Sequence, residues 1–250
     1  MLSKSQISFI KSLHQKKFRK EHNLFIVEGL KSIQDFLNTS FSFHSIYATT
    51  ELIDNLPKLA TNIKLFEVNN AEINKISTLQ NPQGILAILH QPNNTKLEPN
   101  VYSNQLNLVL DGIQDPGNLG TIIRTADWFG FNNIICSLDT ADVFNPKTVQ
   151  ASMGSLSRIK VYYTNIAEFL KDKPWVGGAF LNGDNIYKMN WPENGFIVLG
   201  NEGQGISQAV EKTITQKITI PGLGITESLN VGISTALFCS EIRRNALIKK

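Results

Sequence analysis

Short apolar runs alternate with amphipathic stretches along the first third of the chain. In those stretches apolar residues recur every three or four positions, as on one face of a helix. The pattern predicts strands at 24–27, 43–48, 64–68 and 84–89, and helices at 28–37 and 71–76. Strands that alternate with helices predict a small α/β unit.

The amino-terminal segment is both amphipathic and basic. Ile7, Ile10 and Leu13 are spaced as one helical stripe, which predicts a short helix followed by a basic loop. In the first thirty-odd residues, seven lysines and arginines face only two glutamates. This segment is therefore the candidate surface for an anionic partner.

The second half of the chain repeats the alternation with more strongly apolar strands. Strands are predicted at 106–111, 133–137, 158–162, 175–180, 196–200 and 217–220, and helices at 118–129, 145–153, 166–170, 207–213 and from about 228 to the end. Near-continuous apolar strands between helices predict a parallel sheet covered on both faces. A polar stretch with two prolines suggests a linker, so the predicted organisation is a domain at 1–92, a linker at 93–104 and a domain at 105–250.

Composition excludes several classes of protein. Apolar residues make up 42% of the chain and charged residues 18%, which excludes a disordered chain. The net charge of +3 is too small to identify a nucleic-acid partner by itself. Cys136 and Cys239 are the only cysteines, which excludes a disulfide scaffold and a cysteine-based zinc site. Because we find no signal-peptide pattern and no apolar run of about 18 residues, we expect a cytoplasmic protein without membrane contact.

The first of three motifs follows the predicted strand at 106–111. It lacks the glycine pattern of dinucleotide-binding loops, that of Rossmann-type methyltransferases and that of phosphate-binding loops. A Pro-Gly turn leads into Asn118, which is a good helix N-cap, and Arg124 lies off the apolar face of the helix. The structural alternative is a turn, a cap and a solvated arginine.

Two further glycine-rich junctions follow strands later in the chain. After the strand at 196–200, glycines allow the backbone to approach a ligand and place Glu202 at the carboxyl edge of the sheet. The alternative is a flexible loop with a surface glutamate. After the strand at 217–220, a Pro-Gly-x-Gly loop leads to Ser228, which is predicted to cap the last helix. Capping by Ser228 does not explain Asn230, an indifferent helix former predicted in the first turn.

Taken together and in this order, the motifs resemble the SpoU (TrmH-like) family of RNA 2′-O-methyltransferases, within the SPOUT superfamily. The matching residues are Asn118, Gly120, Arg124, Thr125 and Ala126, then Gly200, Asn201, Glu202 and Gly205, then Ile220, Pro221 and Glu227–Gly232. The run from Gly222 to Gly224 departs from the family pattern, which predicts a slightly altered cofactor loop. Residues 17–29 and 78–87 resemble, more weakly, the substrate-binding domain of the family.

The resemblance implies an α/β fold with two parts. The first is a small ribosomal-protein-like α/β domain, and the second is a parallel-sheet domain whose chain forms a deep trefoil knot. It also implies a homodimer through the knotted domain. The last helix carries Leu229, Ile233, Ala236 and Leu237, which would serve that interface or, alternatively, only pack on the sheet.

The resemblance further implies S-adenosylmethionine as the methyl donor and no metal. Backbone groups of Gly200, Ile220 and Leu229, with Leu181 as a neighbour, would hold the cofactor. The implied catalytic residues are Asn118, Arg124, Glu202, Ser228 and Asn230. Arg124 has two possible roles: a base, despite a guanidinium pKa above about 12, or a clamp on the substrate phosphate.

RNA capture is predicted for the basic amino-terminal segment through Lys16, Lys17, Arg19 and Lys20. The predicted substrate is structured ribosomal RNA, a guanosine of 23S rRNA in particular, with transfer RNA as the second candidate. A non-catalytic RNA-binding module on the same fold is the alternative, which the intact set of motif residues disfavours. A nucleotide-dependent oxidoreductase is disfavoured because the glycine fingerprint is missing.

Overall fold

The computed structural model describes residues 1–92 and 97–248, which divide by their contacts into two compact units. The first unit contains residues 1–92 together with Asp142–Arg158. The second contains residues 97–141 and 159–248. Within these residues, no helix combines the length and the apolar character that crossing a membrane requires.

Helices and strands alternate along both units. In chain order they are α1 (Lys4–Ser12), α2 (Lys16–His22), β1 (Leu24–Glu28), α3 (Leu30–Leu37), β2 (Phe43–Ala48), α4 (Thr50–Ile53), β3 (Lys64–Glu67), α5 (Asn70–Ile76), β4 (Ile85–His90), α6 (Pro99–Tyr102), β5 (Leu106–Asp111), α7 (Pro116–Trp128), β6 (Asn133–Cys136), α8 (Pro146–Ser152), β7 (Lys160–Tyr163), α9 (Ile166–Leu170), β8 (Val176–Asn185), β9 (Gly195–Gly200), α10 (Gln208–Glu211), β10 (Gln216–Thr219) and α11 (Val231–Ile248). Short 3-10 helices lie at Ser155–Ser157 and Ile186–Lys188. The strands predicted from apolar runs are all present, which confirms the α/β class.

The first unit is built on a mixed four-stranded sheet in the order β1-β4-β2-β3. Only β2 and β3 run parallel; β4 is antiparallel to both of its neighbours. Helix α1 begins at a capping box between Ser3 and Gln6, and its Ile10 is buried in the core on this sheet. The basic loop predicted after α1 was wrong, because residues 16–22 form α2, which ends where Asn23 adopts a left-handed conformation.

The segment Asp142–Arg158 follows β6 in sequence but groups with the first unit. An ion pair of 2.7 Å joins Arg19 of α2 to Asp142, and the rings of Phe25 and Phe144 lie 4.7 Å apart. Helix α8 packs on β1 in the same unit. These contacts explain why Asp142–Arg158 belongs to the first unit, although the predicted domain boundary at 105 places this segment in the second domain.

The second unit is built on a six-stranded sheet in the order β10-β8-β9-β5-β6-β7. Every neighbouring pair runs parallel, which confirms the predicted parallel sheet. The central strands β5 and β9 are buried along most of their length. Because the strands are parallel, their carboxyl ends lie at one edge of the sheet. The trefoil knot implied by the resemblance remains a prediction.

Two helices of the second unit begin at residues other than the predicted caps. Asn118 was predicted to cap α7, but the helix begins at Pro116 and is capped by Asp115, whose side chain accepts from the Asn118 N–H. Proline fits the first helical position because its fixed φ suits the helix and no N–H is needed there. Helix α11 begins at Val231, so Ser228 does not cap it.

The predicted linker at 93–104 is described only in part. Residues 93–96 lie outside the described residues. Within the rest, Pro99–Tyr102 form the short helix α6, where proline again occupies the first turn. The linker and the predicted boundaries of the two domains therefore remain predictions.

Candidate active site

The three motifs meet at the carboxyl edge of the parallel sheet. The first motif leaves β5 at Asp111, and the second leaves the neighbouring strand β9 at Gly200. The third leaves β10 and continues into α11, which packs against α7. Residues separated by more than a hundred positions are thereby brought within hydrogen-bonding distance.

A chain of hydrogen bonds joins one side chain from each motif. The Asn230 amide donates from Nδ2 to the Asn118 Oδ1 over 3.0 Å, and the Asn118 Nδ2 donates to the Glu202 Oε1 over 2.6 Å. Asn118 is half-buried, whereas Glu202 and Asn230 are exposed. An amide nitrogen carries two N–H groups, so each asparagine has one further donor beyond these bonds. The arrangement can orient a hydroxyl or a phosphate placed beside it.

Asn230 also caps helix α11. Its Oδ1 accepts from the Gly232 N–H over 2.9 Å, and its carbonyl accepts from the Ser234 N–H. This overturns the expectation that Asn230 would lie in the first helical turn with Ser228 as the cap. Both polar atoms of the Asn230 amide are therefore fixed, Oδ1 by the cap on α11 and Nδ2 by the bond to Asn118.

The second motif is fastened to the end of β5 at two points. The Asn201 Nδ2 donates to the Gly112 carbonyl over 2.7 Å, and the Ser207 N–H donates to the Asp111 carboxylate over 2.7 Å. The Asn201 Oδ1 also accepts from the N–H groups of Gly203 and Gln204. Residues 201–205, the second loop, are therefore held on both sides of Glu202.

Gly200 allows this loop to fold back on its own strand. Asn201 and Gly205 exchange two backbone hydrogen bonds of 2.9 Å. A Cβ added at Gly200 would lie 2.3 Å from the Gly205 carbonyl carbon and 2.4 Å from the Ile206 nitrogen. Backbone atoms cannot give way as a flexible side chain does, so this close approach requires glycine.

The loop at 221–229, the third loop, is held very differently. All of its side chains are exposed, and Leu223 and Ile225 are fully so. Among the described residues, none makes a hydrogen bond to any part of this loop. Ser228 therefore lies in the same segment as Asn230 but outside the hydrogen-bond chain, and Leu229 is half-exposed.

Arg124 lies on the exposed face of α7, away from the buried residues Ile122, Ile123 and Ala126. In the part of the chain that the structure describes, its guanidinium has no hydrogen bond or ion pair. Asn118 and Glu202 bond to each other and not to Arg124. The guanidinium remains available to a partner outside the chain.

The residues predicted to hold the cofactor lie around the same sheet edge. Strands β8 and β10 pair in register up to Gly178 and Lys217, and then shift, so that Ile218 pairs with Asp184. The intervening residues 179–183 bulge out, with Leu181 71% exposed and its carbonyl accepting from the Thr219 hydroxyl. This hydrogen bond places Leu181 beside the end of β10. Ile220 is the residue directly after β10, and Gly200 is the last residue of β9. Main-chain groups and apolar side chains at this edge suit an uncharged adenosine moiety.

The four basic residues predicted to capture RNA separate into two kinds. Lys16, Lys17 and Lys20 are exposed on α2. The prediction for Arg19 was wrong, because its side chain is buried. It donates to the carbonyls of Leu13 and His14 and pairs with Asp142 as described above. A guanidinium enclosed in this way supports the local fold and is not exposed to phosphates.

Cysteine and metal chemistry find little support in the described residues. Both thiols are buried, and burial raises the pKa of each, that of Cys239 to about 12. Neither is therefore a nucleophile near neutral pH. Within residues 1–92 and 97–248, no three His, Cys, Asp or Glu side chains are placed to share a metal ion.

Three residues that position the site were given no role from the sequence, although Asn201 is one of the motif residues: Asp111, Ser137 and Asn201. At Gly112, which has a φ of +70°, the Ser137 hydroxyl accepts from the N–H over 2.8 Å, and Asn201 donates to the carbonyl. The Asp111 carboxylate accepts from the Ser207 N–H. The sequence does show a polar residue at or directly after the end of each apolar strand, and this could have marked such residues as candidates. It does not show which group on a neighbouring strand or loop each of them bonds to.

Both parts of the chain match models of known protein families. Residues 105–240 match the model of the SpoU rRNA Methylase family, and residues 4–87 match the MRM3-like substrate binding domain. The first match covers all three motifs.

Individual relatives align over nearly the whole chain. The 23S rRNA (guanosine(2553)-2′-O)-methyltransferase RlmP of Bacillus subtilis is 30% identical over 93% of this chain and 94% of its own. A TrmH-family structure from Porphyromonas gingivalis is 39% identical, with a TM-score of 0.87 over 98% of this chain and 99% of its own. An AdoMet-bound rRNA methyltransferase from Sinorhizobium meliloti is 29% identical, with a TM-score of 0.87 over 98% of this chain and 97% of its own.

Proposed function

Because this chain belongs to the SpoU rRNA methylase family, we propose that it methylates a ribose 2′-hydroxyl of ribosomal RNA with S-adenosylmethionine as the methyl donor. The more specific proposal is a guanosine of 23S rRNA, which the name of the Bacillus subtilis relative supports. Transfer RNA remains the second predicted substrate. The observation that carries the proposal is the hydrogen-bond chain from Asn230 through Asn118 to Glu202, because it joins all three motifs at one sheet edge.

The proposed cofactor site is the edge lined by Leu181, Gly200, Ile220 and Leu229. S-adenosylmethionine supplies an electrophilic methyl group on a sulfonium. The exposed main chain at Gly203 and Gly205, which follow Gly200, and the bulge at Leu181 can hold a neutral base and ribose without a charged side chain. Methyl transfer to oxygen creates no polyanionic leaving group, so the proposal includes no metal.

The chemical task of the protein residues is to orient the 2′-hydroxyl and to manage its proton. The oxygen would form a bond to the methyl carbon as the sulfur–carbon bond breaks and leaves a neutral thioether. The hydroxyl proton would pass to Arg124 if that residue is the base, or to solvent if it is the clamp. Asn118, Glu202 and Asn230 are proposed to orient the ribose, since positioning supplies much of the rate in such transfers. Ser228 is proposed to join them as a donor near the substrate.

Arg124 is proposed to act on the substrate, and its two roles make different predictions. As a clamp it would bind a phosphate and stabilise negative charge near the attacking oxygen. As a base it would have to lose a proton from a guanidinium, which is strongly disfavoured at neutral pH. Arg124 is exposed and has no partner within residues 1–92 and 97–248, which favours the clamp because a phosphate can then approach freely.

The same unit is proposed to form a homodimer. Helix α11 exposes Ile233 to 54%, and Ala236 and Leu237 are half-buried. Helix α7, which packs against it, exposes Trp128 to 84%. Leu229 leaves the predicted stripe, because α11 begins only at Val231. Apolar side chains exposed on two adjacent helices are typical of an interface between subunits.

The first experiment tests whether the protein methylates ribosomal RNA and binds S-adenosylmethionine. Mass-spectrometric mapping of ribose methylation in total RNA, from cells with and without the protein, should reveal one 2′-O-methylated nucleotide in 23S rRNA that depends on it. Purified protein should bind S-adenosylmethionine in a calorimetric titration. A non-catalytic RNA-binding module would give unchanged maps, and that result would reject the proposed reaction.

The second experiment separates the roles of Arg124. Arg124→Ala should lower kcat by at least about a hundredfold while its affinity for S-adenosylmethionine stays within about twofold of the wild type. Arg124→Lys should recover part of the activity in either role, because an ammonium binds phosphate and also loses its proton more readily than a guanidinium. The pH profile separates the roles: kcat of the lysine variant should rise at a lower pH than that of the wild type only if the residue is the base. Arg158→Ala, which removes an arginine of the first unit, is the matched control. Equal turnover in Arg124→Ala and the control would exclude a catalytic role.

A further inference from the structure

Two of the four histidines have ring contacts with Phe9 in the first unit, and a third has a ring contact with one of these two. The ring centroids of Phe9 and His22 lie 5.2 Å apart, those of Phe9 and His44 6.1 Å apart, and those of His44 and His90 5.9 Å apart. The interplanar angles are 67°, 44° and 60°, so no ring face within the group is covered by a parallel partner. We call these four residues the histidine platform.

The topology of the sheet brings the platform together. His22 closes α2 directly before β1, and Leu24, the first residue of β1, pairs with His90 at the end of β4. His44 lies at the start of β2, beside the pairing of Phe43 with Leu89. All three imidazoles are therefore at the same end of the sheet, and Phe9 of α1 lies against those of His22 and His44.

A positively charged rim adjoins the platform. Lys64 begins β3 at the same end of the sheet, where it pairs with Ser45 next to His44. Lys16, Lys17 and Lys20 are exposed on α2, which ends at His22. Burial, His90 and Lys64, in that order, lower the pKa of His44, so its ring is predominantly neutral at pH 7. The surface thus combines the neutral ring of His44 and the apolar ring of Phe9 with fixed ammonium groups.

We propose that the histidine platform stacks unpaired bases of the RNA substrate while Lys64 and the lysines of α2 bind the adjoining phosphates. This inference rests on the proposed function, because it assigns the RNA of that reaction to one surface and one binding mode. Aromatic and imidazole rings stack on splayed bases, whereas bases paired within a duplex are not accessible to them. His22 and His90 are exposed, and Phe9 and His44 are half-buried, so the rings are firmly placed yet reachable. A lysine rim favours a polyanion over an apolar protein surface.

The test compares three fluorescein-labelled probes of equal length: oligoadenylate, oligouridylate and an RNA duplex. His22→Ala combined with His90→Ala should weaken oligoadenylate binding by about tenfold or more, and oligouridylate binding by less, because adenine stacks more strongly. Duplex affinity should change by less than about twofold. Lys64→Gln should instead weaken all three probes and reduce the dependence of affinity on salt.

Two variants make the result specific to ring stacking. His22→Phe combined with His90→Phe keeps two rings and should retain oligoadenylate affinity within about threefold of the wild type. His14→Gln removes the histidine outside the platform, whose Nε2 lies 3.1 Å from the Ile76 carbonyl, and should bind every probe as the wild type does. Wild-type oligoadenylate affinity in the double alanine variant, or equal losses for oligoadenylate and duplex, would overturn the proposal. Loss of binding in the phenylalanine variant would overturn it as well.

The outcome is independent of the methylation assay. Ring-dependent binding of oligoadenylate by a protein that leaves RNA methylation maps unchanged would uphold the platform and reject the proposed reaction. If the protein methylates RNA but the histidine substitutions leave its oligoadenylate affinity unchanged, the proposed reaction would be upheld and the platform rejected.

Discussion

The second loop (201–205) and the third loop (221–229) are both glycine-rich segments that follow strands of one parallel sheet, yet they are held in opposite ways. The second is fixed by backbone hydrogen bonds between Asn201 and Gly205 and by side-chain bonds to the end of β5. In the third, no residue bonds to the rest of the described chain, and the side chains of Leu223 and Ile225 are fully exposed.

The difference shows that glycine serves two purposes in this site. In the second loop, Gly200 permits backbone to pack on backbone, so the loop is preorganised and carries Glu202 in a defined place. In the third loop, a Cβ at Gly222 or Gly224 would meet nothing within 4 Å. The first fixed residue after the third loop is Asn230, which caps α11 and bonds to Asn118.

The largest effect should come from Gly200→Ala. The added Cβ would lie 2.3 Å from backbone of the second loop, so β9 or the loop must shift. We expect a loss of about 3 kcal/mol or more in the free energy of unfolding, the upper range for overpacking, together with loss of S-adenosylmethionine binding. Urea denaturation and calorimetry measure the two effects. Wild-type values for both would show that the second loop is not rigid.

Asn201→Ala should have the next largest effect. It removes one donor and one acceptor and leaves the Gly112 carbonyl without its amide partner. The expected cost is about 2 kcal/mol in unfolding free energy, with a larger fall in kcat than in cofactor affinity, because Glu202 is the next residue. Asn194→Ala, an exposed asparagine before β9, is the matched control and should change neither quantity. If Asn201→Ala and Asn194→Ala have the same unfolding free energy and the same kcat, the side chain of Asn201 does not hold the second loop.

Asn230→Ala tests the first fixed residue after the third loop. Loss of the cap should cost about 1 kcal/mol in unfolding free energy. Loss of the bond to Asn118 should lower kcat as well. Asn230→Asp keeps the cap oxygen but replaces the amide donor, so it should restore stability without restoring kcat. Recovery of both by aspartate would mean that only the cap matters.

The smallest effect is expected for Gly222→Ala combined with Gly224→Ala. Neither residue has a positive φ, and a Cβ at either position enters open space. The free energy of unfolding should change by less than about 0.5 kcal/mol. Chemical denaturation against the wild type checks this. A loss above about 1 kcal/mol would show that the third loop is packed as tightly as the second.

Much of the fold was accessible from local patterns. Apolar runs located every strand, and β2 and α9 were predicted at their observed bounds. Helix starts were harder: Asp115 and Asn230 act as caps where Asn118 and Ser228 were predicted. Several residues near a helix start can cap, and the choice depends on where the chain enters from the preceding loop.

Charge pattern was a weaker guide than hydrophobic pattern. Lys16, Lys17, Arg19 and Lys20 look alike in sequence, but Arg19 is buried against Asp142, more than a hundred residues away. Local sequence does not contain such a partner. The platform around Phe9 was missed for the same reason, since its four rings come from α1, the end of α2, β2 and β4.

The strands, the parallel sheet and the family could be predicted from local sequence, because apolar runs and short motifs consist of residues that are close together in the chain. Which polar residues contact each other depends on the folded chain, as in the pairs Asn230 and Asn118, Asn118 and Glu202, Asn201 and Gly112, and Arg19 and Asp142. Hydrogen bonds require atoms within about 3 Å of each other in a suitable orientation. That condition is met only after distant strands have been placed side by side.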